Sequence, residues 1–353
     1  MNMKELEMLQ EMSNLYGGNP EYVLAGGGNT SYKTGDTLYV KGSGTSLATI
    51  KAGDFVRLYR SKLDAMWQKK YSDDEKTRES EVLADMMAAR LEGETRRPSV
   101  ETLLHNLFPQ KFVLHVHPAA VNGMTCGKNG KEIAAKIFPD SVWVDACKPG
   151  YILADICRRM LSEYKAKTGS DADLLFLQNH GVFFAADSTE DIDALVTDVM
   201  GKLNSVIYGW KEYLGGQLSA LIGTGHREYV SSPEIAAFDP SFRSPTPDHI
   251  VYCKAKYLVI DMNITAEALK SAVENFASDN GYNPRVVIVR GRGAFVFGTD
   301  AKQLDTVKNV FLDHVKVYSN SEFFGGYSGM SEELVDFIVN WEVESYRAKV
   351  SGN

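Results

Sequence analysis

The sequence has few cysteines and no pattern that would link them. Four occur among 353 residues, at Cys126, Cys147, Cys157 and Cys253, and no two of them form a CxxC pair. Disulfide-stapled domains and thiolate zinc sites both depend on regularly spaced cysteines. Neither is therefore indicated, and we expect the four side chains to serve packing.

Long apolar runs and clustered basic residues are also missing. No stretch approaches the ~20 apolar residues of a membrane helix, and residues 1–17 lack the apolar core of a signal peptide. The formal charge of −8, without a basic stripe, argues against nucleic acid or an anionic membrane as the partner. We therefore expect a cytoplasmic protein that acts on a small molecule.

With 44% hydrophobic and 24% charged residues, the chain is long enough for one large globular domain or two. Helical and strand patterns alternate along it, joined by glycine-rich connections. Residues 230–249 contain four prolines and no periodicity, which predicts a linker or an ordered surface connection. A smaller α/β unit is expected to follow.

Two segments share the order strand, glycine corner, strand and acidic helix start. They are residues 173–203 and 285–315, and Arg292 stands in the second where His180 stands in the first. Either they are an internal repeat, or they share an arrangement that is common in unrelated proteins. If they are related, the chemistry belongs to the first copy.

The stretch KFVLHVHPAA predicts a β-strand in which His115 and His117 face the same side. Such a pair is often no more than the polar surface of a half-buried strand. A third histidine, His180, lies at a turn between two apolar strands, where Gly181 allows the backbone to bend. Three neutral histidines with an open coordination position describe a catalytic zinc site.

A carboxylate precedes this strand in RRPSVETLLH, where Ser99 is a helix N-cap candidate and Glu101 lies in the first turn. There the carboxylate of Glu101 would either stabilise the helix through its dipole or act as a general acid/base beside the metal. His105 lies four residues later and would either orient Glu101 or serve packing. The sequence leaves both pairs of alternatives open.

Two glycine-rich segments, GGGNTS and KGSGTS, lack the spacing of nucleotide-binding fingerprints. Their backbone amides and polar side chains can cradle a phosphate monoester, although tight turns between strands would look the same. The polar groups concerned are Asn29, Ser31, Ser43 and Ser99.

The order of GGGNTS, KGSGTS, PSVETLLH, HVHP and QNHGV resembles the class II aldolase/adducin family. Its members include fuculose and rhamnulose phosphate aldolases, pentulose phosphate 4-epimerases and a methylthioribulose phosphate dehydratase. The resemblance covers residues 1 to about 215. With SPTPDHIVY and GRGAFVFG added, the pattern is similar to the aldolase half of bifunctional rhamnulose phosphate aldolase/alcohol dehydrogenase proteins.

The resemblance implies a role for each matching residue. His115, His117 and His180 would bind a divalent metal, usually zinc, and Glu101 would be the catalytic acid/base. The implied phosphate pocket consists of Asn29, Ser31, Ser43, Gly44 and Ser99. Val100 stands where smaller aldolases often have a second phosphate-binding serine, and Tyr318 and Tyr327 are candidates for a tyrosine supplied by a neighbouring subunit.

The resemblance also implies an α/β fold, a three-layer sandwich with a central, mainly antiparallel sheet. The catalytic domain would span residues 1–235 and a C-terminal α/β extension residues 236–353. We expect a homo-oligomer such as a tetramer. The implied reaction is zinc-dependent retro-aldol cleavage of a phosphorylated ketose, such as a deoxyketohexose 1-phosphate of the rhamnulose-1-phosphate type, through an enediolate. The alternatives are a 4-epimerase, a sugar-phosphate dehydratase, or an adducin-like scaffold without chemistry.

Overall fold

The computed structural model describes residues 3–340 of the chain. It divides into two compact units, Met1–Ile207 and Tyr208–Asn353, and the division falls within one long helix. The first unit contains strands β1 (Asn29–Thr34), β2 (Thr37–Val40), β3 (Val56–Tyr59), β4 (Phe112–Val116), β5 (Val142–Val144), β6 (Leu174–Leu177) and β7 (Gly181–Ala186). Its helices are α1 (Met3–Gly17), α2 (Arg60–Ala65), α3 (Glu75–Ala88), α4 (Thr102–Leu107), α5 (Ala119–Thr125), α6 (Gly130–Ile137), α7 (Tyr151–Thr168) and the start of α8 (Thr189–Ile222).

The seven strands of the first unit form one sheet in the order β3-β2-β1-β4-β7-β6-β5. The β5–β6 pair is parallel and the other pairs are antiparallel, as the predicted fold requires. Strand β4 is buried along its whole length, which explains why its sequence is an almost unbroken apolar run. It lies at the centre of the sheet, between β1 and β7.

Helices cover both faces of this sheet, so the three-layer sandwich is confirmed. One face packs on a core that includes Leu9, Val121 and Val196 from α1, α5 and α8. The other face packs on a core that includes Leu63 of α2 and Leu153 of α7. Alternate residues of each strand contribute to the two cores because successive side chains of a strand point to opposite faces.

The second unit contains a four-stranded sheet in the order β8-β11-β10-β9. Its strands are β8 (Arg227–Val230), β9 (Leu258–Ile260), β10 (Val286–Val289) and β11 (Gly293–Phe297). Its helices are α9 (Pro233–Ala237), α10 (Pro247–Cys253), α11 (Ala266–Asn280), α12 (Ala301–Ser321) and α13 (Glu332–Asn340). The smaller C-terminal α/β unit is therefore present as predicted.

The proline-rich segment 230–249 is ordered and is not a linker. Pro233 and Pro247 each occupy the first position of a helix, where the missing N–H of proline costs nothing. Ile235 and Phe238 are buried in the core of the second unit. Two of the four prolines thus mark helix starts, which the sequence did not distinguish from a flexible connection. Throughout residues 3–340, every helix is too short or too polar to span a bilayer.

Candidate metal centre

The three predicted histidines lie at one end of the central strands. His115 is in β4 and His117 directly follows it, while His180 ends the turn before β7. Val116 pairs with Val182 in the β4–β7 ladder, and this register brings the turn beside the end of β4. The three imidazole rings therefore reach the same corner of the sheet.

The imidazole nitrogens converge on one point. His117 Nε2 lies 3.0 Å from His115 Nε2, and ligand nitrogens of all three rings lie within 4.8 Å of one another. The His180 ring centroid is 5.0 Å from that of His115 and 5.2 Å from that of His117. The structure thus brings together the three residues that the sequence selected.

Two contacts with β7 fix the orientation of the His115 ring. Its Nδ1 lies 2.9 Å from the carbonyl oxygen of Val182, which can only accept, so Nδ1 carries a proton and a neutral ring would offer its lone pair from Nε2. The ring also stacks on Phe183, with centroids 4.0 Å apart and planes 14° apart. Phe183 was not predicted as a site residue, although it lies two residues after Gly181 in the apolar run GVFFAA.

The Glu101 carboxylate faces the same corner. Its Oε1 lies 3.1 Å from His115 Nε2 and 3.6 Å from His180 Nε2, while Oε2 accepts a hydrogen bond from Asn29 Nδ2 at 3.1 Å. Burial acts to raise the pKa of Glu101, but His115 and the Asn29 hydrogen bond outweigh it and hold the pKa well below its ordinary value. The carboxylate is therefore ionised at neutral pH.

Helix α4 begins at Thr102, slightly later than the sequence suggested. Glu101 occupies the N-cap position, but its side chain makes no capping hydrogen bond and turns towards the histidines instead. The Ser99 hydroxyl accepts hydrogen bonds from Asn29 Nδ2 and from the Glu101 amide. Between the two interpretations of Glu101, the geometry favours the one beside a metal.

Burial keeps the remaining ligands neutral. It lowers the pKa of His117 to about 4, with His115 and His180 adding to the effect, and it also lowers the pKa of His180. Neutral imidazoles bind metal ions, whereas imidazolium ions do not. Nε2 of His115 faces another imidazole and a carboxylate, and a divalent cation would satisfy the lone pairs that these groups present when the rings are neutral.

The predicted phosphate-binding residues occupy different environments. Ser31 is fully buried, and its hydroxyl lies 2.8 Å from Nδ1 of the equally buried His105. Ser43 and Gly44 are exposed, and the Ser43 amide donates to the carbonyl of Arg97. The His105 side chain therefore hydrogen-bonds to Ser31 and not to the Glu101 carboxylate. The phosphate-binding roles stay predictions.

Lys41 is a site neighbour that the sequence analysis did not select. It is 7% exposed, and its ammonium donates to the carbonyl oxygens of Gly26 and Gly28 at 3.0 and 2.9 Å. Gly27, between them, lies against the His117 ring. Lys41 therefore fixes the glycine-rich segment next to a predicted ligand. The only feature of the sequence that could have indicated this role is a basic residue at the end of an alternating strand.

The two candidate tyrosines lie within the second unit. The Tyr327 hydroxyl donates to the carbonyl of Arg243 and lies 3.0 Å from Nε2 of His314. Tyr318 packs against the rings of Phe238 and Tyr327. Their predicted contribution to a neighbouring site stays a prediction.

A cavity of about 460 Å³ lies beside the segment that leads to Glu101. Arg97 and Val100 line it, together with Lys76 and Tyr151. None of the three histidines contributes to its wall, so it is separate from the metal corner.

The sequence matches the family described as Class II Aldolase and Adducin N-terminal domain over residues 8–197. A curated relative, the uncharacterized oxidoreductase YuxG of Bacillus subtilis (strain 168), is 26% identical over an alignment 410 residues long that covers 98% of this chain. The chain spans only 58% of the length of that relative. A relative of greater length named as an oxidoreductase is consistent with the resemblance to bifunctional proteins.

Two solved structures are also similar to this chain. One is the N-terminal class II aldolase domain of a conserved protein from Thermoplasma acidophilum, with a TM-score of 0.49 and 26% identity, covering 57% of this chain and 93% of that one. The other is L-fuculose-1-phosphate aldolase from Thermus thermophilus, with a TM-score of 0.39 and 12% identity, covering 61% and 99%. Because the family match extends over more than half of its residues, this chain belongs to the class II aldolase and adducin family.

Proposed function

We propose that the protein is a metal-dependent aldolase, a carbon–carbon lyase that cleaves a phosphorylated ketose into dihydroxyacetone phosphate and an aldehyde. The proposed substrate is a deoxyketohexose 1-phosphate of the rhamnulose-1-phosphate type. The observation that supports this most directly is the convergence of three imidazoles with the Glu101 carboxylate. Membership of the class II aldolase and adducin family supports the type of reaction.

His115, His117 and His180 would hold the cation, and we propose zinc. Three neutral nitrogen ligands with a further position for substrate are typical of catalytic zinc. When bound, the ion would supply Lewis-acid stabilisation for negative charge that develops on the ketose oxygens. The hydrogen bond from His115 to the Val182 carbonyl supports this assignment because it aims Nε2 at the corner.

Glu101 would move the proton at the three-carbon end of the substrate. In cleavage the Glu101 carboxylate would take the proton of the C4 hydroxyl as the C3–C4 bond breaks, and the protonated Glu101 would return it to C3 as dihydroxyacetone phosphate forms. In condensation the Glu101 carboxylate would remove that proton from C3. The Asn29 hydrogen bond to Oε2 supports this role because it leaves Oε1 directed at the reaction site.

The phosphate would bind beside the glycine-rich segments, to Ser43, Gly44 and Ser99 with Asn29 and Ser31. Residues 41–43 and 97–99 run side by side, linked by hydrogen bonds from the Ser43 amide to Arg97 and from the Ser99 amide to Lys41. Gly44 has a left-handed φ of 84°, which suits a turn that presents backbone amides to an anion. These contacts support a pocket next to Glu101.

The proposal is tested by incubating the zinc-loaded protein with a panel of ketose 1-phosphates and identifying the products by NMR. We expect dihydroxyacetone phosphate and an aldehyde, and the reverse condensation when these two are supplied. An epimerised ketose phosphate or a dehydrated product would overturn the aldolase assignment in favour of those reactions. A protein that binds no metal and converts none of the panel would indicate an adducin-like scaffold.

A matched pair of histidine variants tests the ligand assignment. His117→Ala should lose both bound zinc and cleavage because it removes one of three ligands. His226→Ala is the control, since His226 is an exposed residue of the second unit. Zinc content that survives His117→Ala would show that the ligand assignment is wrong.

We also propose, on the resemblance to the family alone, that the chain forms a homo-oligomer such as a tetramer in the cytoplasm. Light scattering of the purified protein measures the oligomeric state directly. A monomer at micromolar concentration would contradict this part of the proposal.

A further inference from the structure

The sheet of the second unit repeats the strand order found around the candidate metal centre. In the first unit this order is β4-β7-β6-β5, and in the second it is β8-β11-β10-β9. Each set has one parallel pair, β5–β6 or β9–β10, and its other pairs are antiparallel. The likeness between two sequence segments therefore extends to a complete four-stranded arrangement.

The helices occur at corresponding places as well. Helix α7 connects β5 to β6, and α11 connects β9 to β10; each ends at a left-handed glycine, Gly169 or Gly281. Helices α5 and α9 follow β4 and β8, while α8 and α12 follow β7 and β11. A shared strand-turn-strand-helix arrangement alone would not produce this agreement across four strands and three helices.

The two hairpins have the same turn. Three residues separate β6 from β7 and β10 from β11, and the middle one has a left-handed φ, 59° at Asn179 and 67° at Gly291. His180 and Arg292 each come next and immediately precede the returning strand. Arg292 therefore occupies the backbone position of a predicted metal ligand.

The pairing with the neighbouring strand also has the same register. Val116, the last residue of β4, pairs with Val182, the second residue of β7. Val230, the last residue of β8, pairs with Ala294, the second residue of β11. Three residues of the second unit therefore occupy backbone positions equivalent to those of the predicted ligands: Tyr229 corresponds to His115, Ser231 to His117, and Arg292 to His180.

The neighbouring side chains support this correspondence of positions. Phe295 lies beside the Tyr229 ring, with centroids 5.0 Å apart, as Phe183 lies beside His115. A Cβ on Gly293 would lie only 2.5 Å from the Tyr229 hydroxyl, so this ring reaches over the start of the returning strand. The tyrosine thus points to the corner that the histidines occupy in the first unit.

We propose that the second unit is a second copy of the scaffold that carries the metal centre, with its three ligand positions changed. Tyr229, Ser231 and Arg292 offer hydrogen-bond donors there, and a guanidinium group has no lone pair for a cation and repels it. Only the first copy then retains cation chemistry. The part of this inference that concerns cation binding rests on the metal binding proposed for the first unit.

The test is to restore the ligands in the full-length protein. The triple variant Tyr229→His, Ser231→His and Arg292→His should bind one more equivalent of Co²⁺ per chain than the parent, with the visible absorption of a tetrahedral site. Equilibrium dialysis counts the bound ions and circular dichroism verifies the fold. A folded triple variant that binds no more Co²⁺ than the parent overturns the proposal.

A second variant covers the case in which loss of the half-buried Tyr229 ring disrupts folding. Ser231→His with Arg292→His changes two exposed residues only and should add one equivalent of Cu²⁺. Its control is Glu228→His with Arg292→His, because residue 228 lies on the opposite face of β8. Equal Cu²⁺ binding by the test and control pairs would contradict the equivalence.

The outcome is separate from that of the proposed function. A parent that binds no Co²⁺ would reject the metal centre of the first unit, whatever the variants do. A gain by the triple variant over such a parent would still support the repeated scaffold. A parent with one equivalent and a folded triple variant with one equivalent would reject the repeat alone.

Discussion

His115 Nε2 lies 3.1 Å from Glu101 Oε1, and His115 Nδ1 lies 2.9 Å from the backbone carbonyl oxygen of Val182. In a neutral ring with its one proton on Nδ1, Nε2 and Oε1 would both be acceptors. Two acceptors at this distance repel each other unless positive charge lies between or beside them. A divalent cation in contact with the imidazole would supply that charge, so the carboxylate is poised next to the predicted metal. Substitutions at this corner can therefore separate the residues that bind the metal from those that act on the substrate.

Glu101→Gln should leave the zinc content unchanged and lower kcat by roughly 10²- to 10⁴-fold. The substitution preserves the shape of the side chain and removes the base that we assign to the C3 proton. Cleavage rates and metal analysis of the same preparation check it. Glu92→Gln, on an exposed residue, is the control, and a kcat within a few-fold of wild type for Glu101→Gln would show that Glu101 is not the acid/base.

Gly181→Ala should weaken metal binding without unfolding the protein. A Cβ there would lie 2.5 Å from His117 Cδ2 and 2.6 Å from the Val116 carbonyl, so the His117 ring must shift. Gly201→Ala is the matched control, since the space around Gly201 is open and alanine favours a helix by about 0.5–1 kcal/mol. Competition with a chelator measures zinc affinity, and equal affinities of the two variants would contradict this account of the corner.

Phe183→Leu should lower zinc affinity by roughly 10- to 100-fold because it removes the surface on which His115 stacks. Phe184→Leu is the control: Phe184 is equally buried and adjacent in β7, but it points into the core on the other face of the sheet. Both variants should lose about 1–3 kcal/mol of unfolding free energy. If zinc affinity changes equally in both, Phe183 has a general packing role and does not position His115.

The sequence predicted the corner because its main determinants are local. Strand alternation alone places His115 and His117 on one side, and the glycine turn marks His180 as a third ligand. The alternation of helix and strand also follows from apolar patterns. These features require no knowledge of which strand lies next to which, whereas the mainly antiparallel sheet and the three layers were expected only from the resemblance to the family.

The contacts that orient the ligands could not be predicted in the same way. Phe183 contacts His115 only because β4 and β7 pair in one particular register, and Lys41 reaches Gly28 across a turn. Neither relation leaves a period or a motif in the sequence. The sequence left the internal repeat open as one of two alternatives, because Arg292 stands where His180 stands in the first copy and the other two histidines are also absent from the proposed second copy.

His314 should make the stability of the protein depend on pH. It is buried, and burial lowers its pKa to about 3; the hydroxyls of Tyr257 and Tyr327 lie 2.8 and 3.0 Å from its two nitrogens, and the ring of His249 lies 5.3 Å away. The folded protein therefore keeps His314 neutral, whereas the unfolded chain takes up a proton near pH 6.5. The stabilisation is complete above that pH and is lost as the pH falls from about 6.5 towards 3, by at most about 1.4 kcal/mol per pH unit.

Urea denaturation at about pH 7.5 and pH 5 should show a smaller loss of unfolding free energy for His314→Gln than for wild type. His226→Gln, at an exposed position, should keep the wild-type difference. An unchanged difference in His314→Gln would mean that folding does not lower the pKa of this imidazole.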